Sequence, residues 1–187
     1  MLSLTSLLLP SLLAAVAVFF LSWILHMLLK YHYADFPKLA NEDAVMNALR
    51  PLNIPPGDYM MPCGSGPQSM KDPAFLEKLK QGPVALITVL APNSFGMGKR
   101  LIQWFIFCLL VSLFTAYVVA QGLPAGTDFM TVFRFAAYTA FAAYALAQCQ
   151  DSIWYSRKWS TTFKNIFDGL LYALATAGIF GAMWPSA

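Results

Sequence analysis

The chain has 187 residues, of which 58% are hydrophobic and only 11% are charged. Soluble domains carry about 25% charged residues, so the composition is atypical of them. The charges are missing from long continuous runs rather than thinned evenly, and this pattern indicates a membrane protein. A net charge of +3 is too small to favour a nucleic-acid partner, and we predict none.

Four apolar runs are long enough to cross a bilayer, whose core of about 30 Å requires roughly 20 helical residues. Each run is predicted to be α-helix, because a span must satisfy its own backbone hydrogen bonds in lipid. The predicted fold class is an all-α membrane protein, with four transmembrane helices in a bundle and a small mixed α/β cytoplasmic insert between the first two. The helices are predicted at 7–29, 101–120, 129–149 and 166–184, and the insert at 31–98. The first run is too long for a cleaved signal peptide, so we expect it to be retained.

The orientation of the spans is predicted from the placement of lysine and arginine. All of these residues except Arg134 lie between positions 30 and 100 or in the loop before the fourth helix. Basic loops face the cytoplasm in most membrane proteins. The insert 31–98 and the loop 150–165 are therefore predicted to be cytoplasmic, and both termini periplasmic or extracellular.

The insert carries signals of local order. Asp72 is predicted to cap a helix that begins at Pro73 and ends at Gly82. A second short helix is predicted at 42–50. The β-branched run 84–90 is predicted to be a strand that pairs with 58–61. We expect the insert to pack on the membrane surface or on the helices.

The fourth helix has small residues at every fourth position, where they permit close packing of membrane helices. They are Gly169, Ala173, Ala177 and Gly181. The stripe has two interpretations, a dimer interface or packing within this chain's own bundle. The second is favoured, because three other helices need surfaces to pack against.

Five residues are predicted to bind a ligand or form a polar network between helices. They are His26, Arg134, Asp151, Asp168 and Tyr172. Ionisable groups inside spans are functional candidates by default. The ionisable side chains within the spans lie near the predicted membrane interfaces, so a proton or ion relay through the centre is disfavoured. Lys164 lies one turn before Asp168 and is predicted to pair with it.

No catalytic or metal-binding motif is apparent in the sequence. The three cysteines form no CxxC pair and no Cys/His cluster, so no metal site is predicted. Of the two histidines, His32 lies outside the first span, and no haem site is predicted either. We therefore predict no cofactor.

The segment Asp151–Ser160, DSIWYSRKWS, is followed by Phe167–Leu174, FDGLLYAL. Together they resemble the C-terminal half of an uncharacterised family of small bacterial four-helix integral membrane proteins. Trp23 and His26 fit the start of that family, and the insert segments at 41–43 and 57–60 resemble bacterial proteins of this length. The resemblance implies a bacterial inner (plasma) membrane location and four helices, but no activity.

Three functions are predicted in order of preference. The first is an accessory subunit that packs through its small-residue helix faces, with the bilayer, a second copy or a larger membrane complex as partners. The second is an oligomeric small-solute or ion transporter or channel lined by Arg134 and Asp168. The third is an enzyme acting on lipid headgroups through Asp151, His32 or Asp168, which requires a polar pocket of headgroup size beside them.

Overall fold

The computed structural model describes residues 4–92, 94 and 96–187. The chain divides into two compact units, a helical unit formed by Met1–Pro37 and Met97–Ala187, and an insert unit formed by Lys38–Gly96. The helices in chain order are α1 (Leu8–Trp23), α2 (Glu42–Leu49), α3 (Pro73–Gln81), α4 (Met97–Gly122), α5 (Phe129–Tyr144), α6 (Cys149–Trp154) and α7 (Trp159–Ala182). The strands are β1 (Gly57–Met61) and β2 (Ala85–Val89).

Four helical stretches of the described chain are long and apolar enough to cross a membrane, as predicted. They are Thr5–Leu28, Met97–Gly122, Phe129–Trp154 and Trp159–Ala182. The third stretch ends later than the predicted 149, and the fourth begins earlier than the predicted 166 and ends at Ala182 rather than 184. The connection predicted at 150–165 is therefore reduced to residues 155–158. The prediction placed each helix end where the apolar run ends. Helical hydrogen bonding, however, continues through the polar residues that flank the run.

The core of the helical unit lies between α1, α4, α5 and α7, with α5 packed along α7 and α1 packed against both α4 and α7. One end of the core is formed by Leu7, Val119, Val132 and Phe180. The other end is more polar, because Tyr144 and Tyr172 pack there beside apolar side chains. The candidate site lies at this second end.

The small residues of α7 pack against other parts of this chain's own bundle. A Cβ atom on Gly169 would lie 2.8 Å from the Cβ of Ala145, and one on Gly181 would lie 2.8 Å from the ring of Phe129. Ala173 and Ala177 are fully buried. Gly169 and Gly181 therefore let α5 approach α7, and Ala173 and Ala177 lie in the core of the bundle, in line with the second of the two interpretations of the stripe.

The insert unit contains the two-stranded antiparallel sheet that the sequence predicts, with Gly57 opposite Val89 and Met61 opposite Ala85. The helix α3 also follows the prediction, since the Asp72 side chain accepts a hydrogen bond from the backbone N–H of Ala74. Residues 31–37, predicted to be part of the insert, belong to the helical unit instead. Contacts with α7 explain this difference.

Candidate functional site

The chain turns sharply at the end of α1. A π-helical turn, Ile24–Leu28, continues α1 and carries His26. Lys30 then adopts a left-handed conformation with φ of 50°, and a 3-10 turn, Tyr31–Asp35, follows. Left-handed backbone is uncommon for residues other than glycine, and here it lets the chain reverse direction. The 3-10 turn is thereby laid against the first half of α7.

Asp168 of α7 is the centre of a polar cluster. It is only 2% exposed, and a buried carboxylate is costly unless it is paired. The Tyr31 hydroxyl donates a hydrogen bond to its Oδ1 atom. The Oδ2 atom lies 2.8 Å from His32 Nε2 and 3.9 Å from His26 Nδ1. Two imidazoles and one phenol therefore converge on a single carboxylate.

Asp35 fixes the other side of the His32 ring. Its Oδ2 atom lies 2.8 Å from His32 Nδ1, and its Oδ1 atom accepts from Lys164 Nζ at 2.7 Å and from Thr161 Oγ1 at 3.2 Å. Burial alone raises the pKa of Asp35, but the hydrogen bonds from Lys164, His32 and Thr161 outweigh it, so the pKa lies below its ordinary value. The Nδ1 atom of His32 thus faces the Asp35 carboxylate, while its Nε2 atom faces Asp168.

The Tyr31 phenol stays protonated over the physiological pH range. Its pKa is raised, first by burial and then by the hydrogen bond that its hydroxyl gives to Asp168. Tyr31 therefore serves as a neutral donor that satisfies one oxygen of Asp168. The other oxygen faces the two histidines.

The predicted pair between Lys164 and Asp168 does not form. Lys164 Nζ binds the Asp35 carboxylate and the backbone oxygen of Tyr31, at 2.7 Å in each case. The one-turn spacing allowed the pair to Asp168. Asp168 however points into the bundle, and a carboxylate far away in the sequence lies nearer to the ammonium group.

Beside this cluster lies a cavity of about 190 Å³. Its walls are formed by His26, Trp104, Phe107, Ala143, Tyr144, Gln148, Asn165, Asp168 and Tyr172. Pockets for drug-sized ligands measure about 300–1,000 Å³, so this cavity suits a smaller ligand. Tyr172 is 4% exposed, and its hydroxyl has no hydrogen-bond partner among the described residues. An unpaired buried hydroxyl costs about 1–3 kcal/mol.

Three of the five predicted site residues meet here: His26, Asp168 and Tyr172. Asp151 lies outside the cavity wall and pairs with Arg157 at 3.4 Å. Arg134 is exposed on α5 and forms no ion pair within the described part of the chain. Neither of these two residues joins the cluster.

His32 and Asp35 complete the cluster. Neither was among the five predicted ligand or network residues, although His32 was named for the third predicted function. Their contact has a local signal, since the two lie three residues apart just after the first span. No local signal predicts their approach to Asp168, because it depends on the left-handed turn at Lys30. His32 and Asp168 are also 136 positions apart in the sequence.

The cluster has the geometry of a metal site, formed by His26, His32 and Asp168. They offer three ligand atoms that lie within 4.8 Å of one another. Two imidazoles and one carboxylate are typical zinc ligands, and in a tetrahedral site with bonds of 2.0–2.1 Å the ligand atoms lie about 3.3 Å apart. The distances of 2.8 and 3.9 Å from Asp168 bracket that value. The prediction of no metal site rested on cysteine and histidine spacing, which does not describe residues joined by folding.

Comparisons of the chain with protein-family models, curated proteins and solved structures found no match.

Proposed function

We propose that this chain is a multi-pass membrane protein that binds one divalent transition-metal ion, with zinc as the best fit, at one end of its helical unit. The observation that carries the proposal is the convergence of His26, His32 and Asp168. The resemblance to small bacterial membrane proteins supports placing it in a bacterial inner membrane.

The outward faces of the helices support insertion into a bilayer. Along α4 exposed apolar side chains recur at Ile102, Ile106, Leu110 and Phe114. A continuous exposed apolar face is unfavourable in water and ordinary in lipid. The polar cluster at one end then lies near a membrane interface, where water and ions have access.

The orientation of this end is open to a direct test. In a cysteine-free background, Lys38→Cys and Lys158→Cys are expected to react with a membrane-impermeant maleimide only after cells are permeabilised, because the basic segments face the cytoplasm. Gln121→Cys, an exposed position at the C-terminal end of α4, is the control and is expected to react in intact cells. Labelling of positions 38 and 158 from opposite sides would contradict the proposed topology.

The surroundings of His32 support a metal ligand. Metal-binding histidines usually donate their second ring N–H to a carboxylate or carbonyl, which fixes the tautomer and makes the ligand more basic. Asp35 occupies this position, and Lys164 and Thr161 hold it there. The arrangement therefore resembles a carboxylate–histidine–metal triad.

The number of ligands also favours a reactive site over a purely structural one. Structural zinc sites are usually closed by four protein ligands, whereas catalytic sites keep three and leave one position open. Three protein ligands are present here, beside a cavity. The third predicted function required a polar pocket of headgroup size beside His32 or Asp168; because this cavity suits a smaller ligand, an enzyme acting on lipid headgroups stays a prediction. The accessory and transporter roles stay predictions.

The metal site is tested by zinc titration of the purified protein against a chromophoric chelator. We expect the wild type to bind one zinc per chain and His26→Ala to bind it more than about 100-fold more weakly, since even the loss of an outer partner costs 10–100-fold. His26→Ala is the preferred variant because the ring is half-exposed and its polar contact is the 3.9 Å approach to Asp168.

The control for this titration is Asp151→Ala, a carboxylate outside the site whose loss is expected to leave zinc affinity unchanged. Thermal unfolding of each variant without metal verifies that the fold is retained. If the wild type binds no zinc, or if His26→Ala binds it as tightly, then His32 is only a hydrogen-bond partner of Asp35 and Asp168, and the proposal is wrong.

A further inference from the structure

The ligands of the proposed metal site leave one position of a tetrahedral ion free, and a cavity adjoins the cluster. His26 and Asp168 belong both to the ligand set and to the cavity wall. Resting on the proposed metal site, we infer that this cavity binds a small monoanion, such as hydroxide or a carboxylate, which ligates the ion and accepts a hydrogen bond from Tyr172.

The charge balance favours a monoanion. A divalent ion bound by two neutral imidazoles and the Asp168 carboxylate retains one positive charge. Lys164 and Asp35 neutralise each other at 2.7 Å and leave that charge uncompensated. A net charge in a partly buried site is unfavourable, and one anionic ligand removes it.

Among Trp104, Tyr144 and Tyr172, which line the cavity, Tyr172 is the residue whose hydrogen-bond donor is free for a ligand. The indole N–H of Trp104 already donates to Ser22 Oγ at 2.8 Å, and the Tyr144 hydroxyl donates to the backbone oxygen of Cys108 at 3.5 Å. The Tyr172 hydroxyl has no such partner in the described part of the chain. A ligand oxygen in the cavity would satisfy it.

The remaining wall residues fit a small polar ligand with an apolar side. Gln148 and Asn165 contribute amide groups, while Phe107 and Ala143 contribute apolar surface. Polar and apolar groups contribute similar shares of the wall surface, which suits a small polar ligand. The volume of about 190 Å³ restricts the ligand to a few heavy atoms.

The inference is tested on the cobalt-substituted protein with azide as the probe. Tetrahedral cobalt is expected to give visible absorption bands that change saturably as azide is added. Tyr172→Phe is expected to weaken azide binding about tenfold or more, the effect of losing a hydrogen bond to a charged group. Its cobalt affinity should be unchanged, because Tyr172 is not a ligand, and its fold should be retained, because the lost hydroxyl has no partner in the protein.

The control is Tyr138→Phe, an exposed tyrosine on α5 that lies outside the cavity wall. Absence of cobalt binding would refute the proposed metal site and this inference together. Cobalt bands that do not respond to azide, or equal azide affinity in Tyr172→Phe and the wild type, would overturn this inference and leave the metal site standing.

Discussion

Replacing Lys164 by methionine is expected to destabilise the metal-free protein by about 3 kcal/mol, the lower end of the range for breaking a buried ion pair. Asp35 is 6% exposed and would keep its charge without its strongest partner, while Lys164 itself retains partial solvent contact at 28% exposure. For a chain of this size the loss corresponds to a fall in Tm of roughly 6–12 °C in mild detergent.

The matched control is Lys158→Met, an exposed lysine at the start of α7, for which we expect a change within about 0.5 kcal/mol. Adding Asp35→Asn to Lys164→Met should recover part of the loss, because the unpaired charge is then removed. If Lys164→Met unfolds at the wild-type temperature, the interior ion pair is not formed, and the orientation of His32 by Asp35 loses its support.

Gly169→Ala is expected to destabilise the helical unit by about 1–3 kcal/mol, the usual cost of overpacking. The added Cβ would lie 2.8 Å from the Ala145 Cβ and 3.1 Å from the backbone carbon of Tyr144. Backbone atoms cannot rotate away as a flexible side chain can, so α5 and α7 would have to separate beside Asp168. Zinc affinity is expected to fall together with stability.

Gly178→Ala serves as the control on the same helix, because a Cβ there meets nothing within 4 Å. Alanine has the higher helix propensity, so this variant should be neutral or up to about 1 kcal/mol more stable. Equal stability of the Gly169→Ala and Gly178→Ala variants in thermal unfolding would show that α5 does not pack closely on α7 beside Gly169.

The helices and the small sheet were predictable from the sequence because their signals are local. A bilayer-length apolar run, the cap formed by Asp72 and Pro73, and a β-branched run each depend on neighbouring residues. The end of the third span and the start of the fourth differ from the prediction because helical structure continues beyond the apolar run. The packing role of Gly169 was one of two interpretations, and choosing between them requires knowing which helix faces α7.

The candidate site was only partly predictable. His26, Asp168 and Tyr172 were identified because polar groups are unusual in apolar helices. His32 was named only as one option of the third predicted function, and Asp35 was not named, because both lie in a polar segment where such residues are common. Their role depends on the left-handed turn at Lys30, a conformation that lysine rarely adopts and that no local pattern indicates.

X-ray absorption spectroscopy of the zinc-loaded protein tests the central claim most directly. The first shell is predicted to contain only nitrogen and oxygen at about 2.0–2.1 Å, with outer-shell scattering from two imidazoles in the wild type and from fewer in His26→Ala. A first shell with sulfur at about 2.3 Å would place the ion on cysteine, and a shell without imidazole would place it away from His26 and His32. Either result would contradict the account.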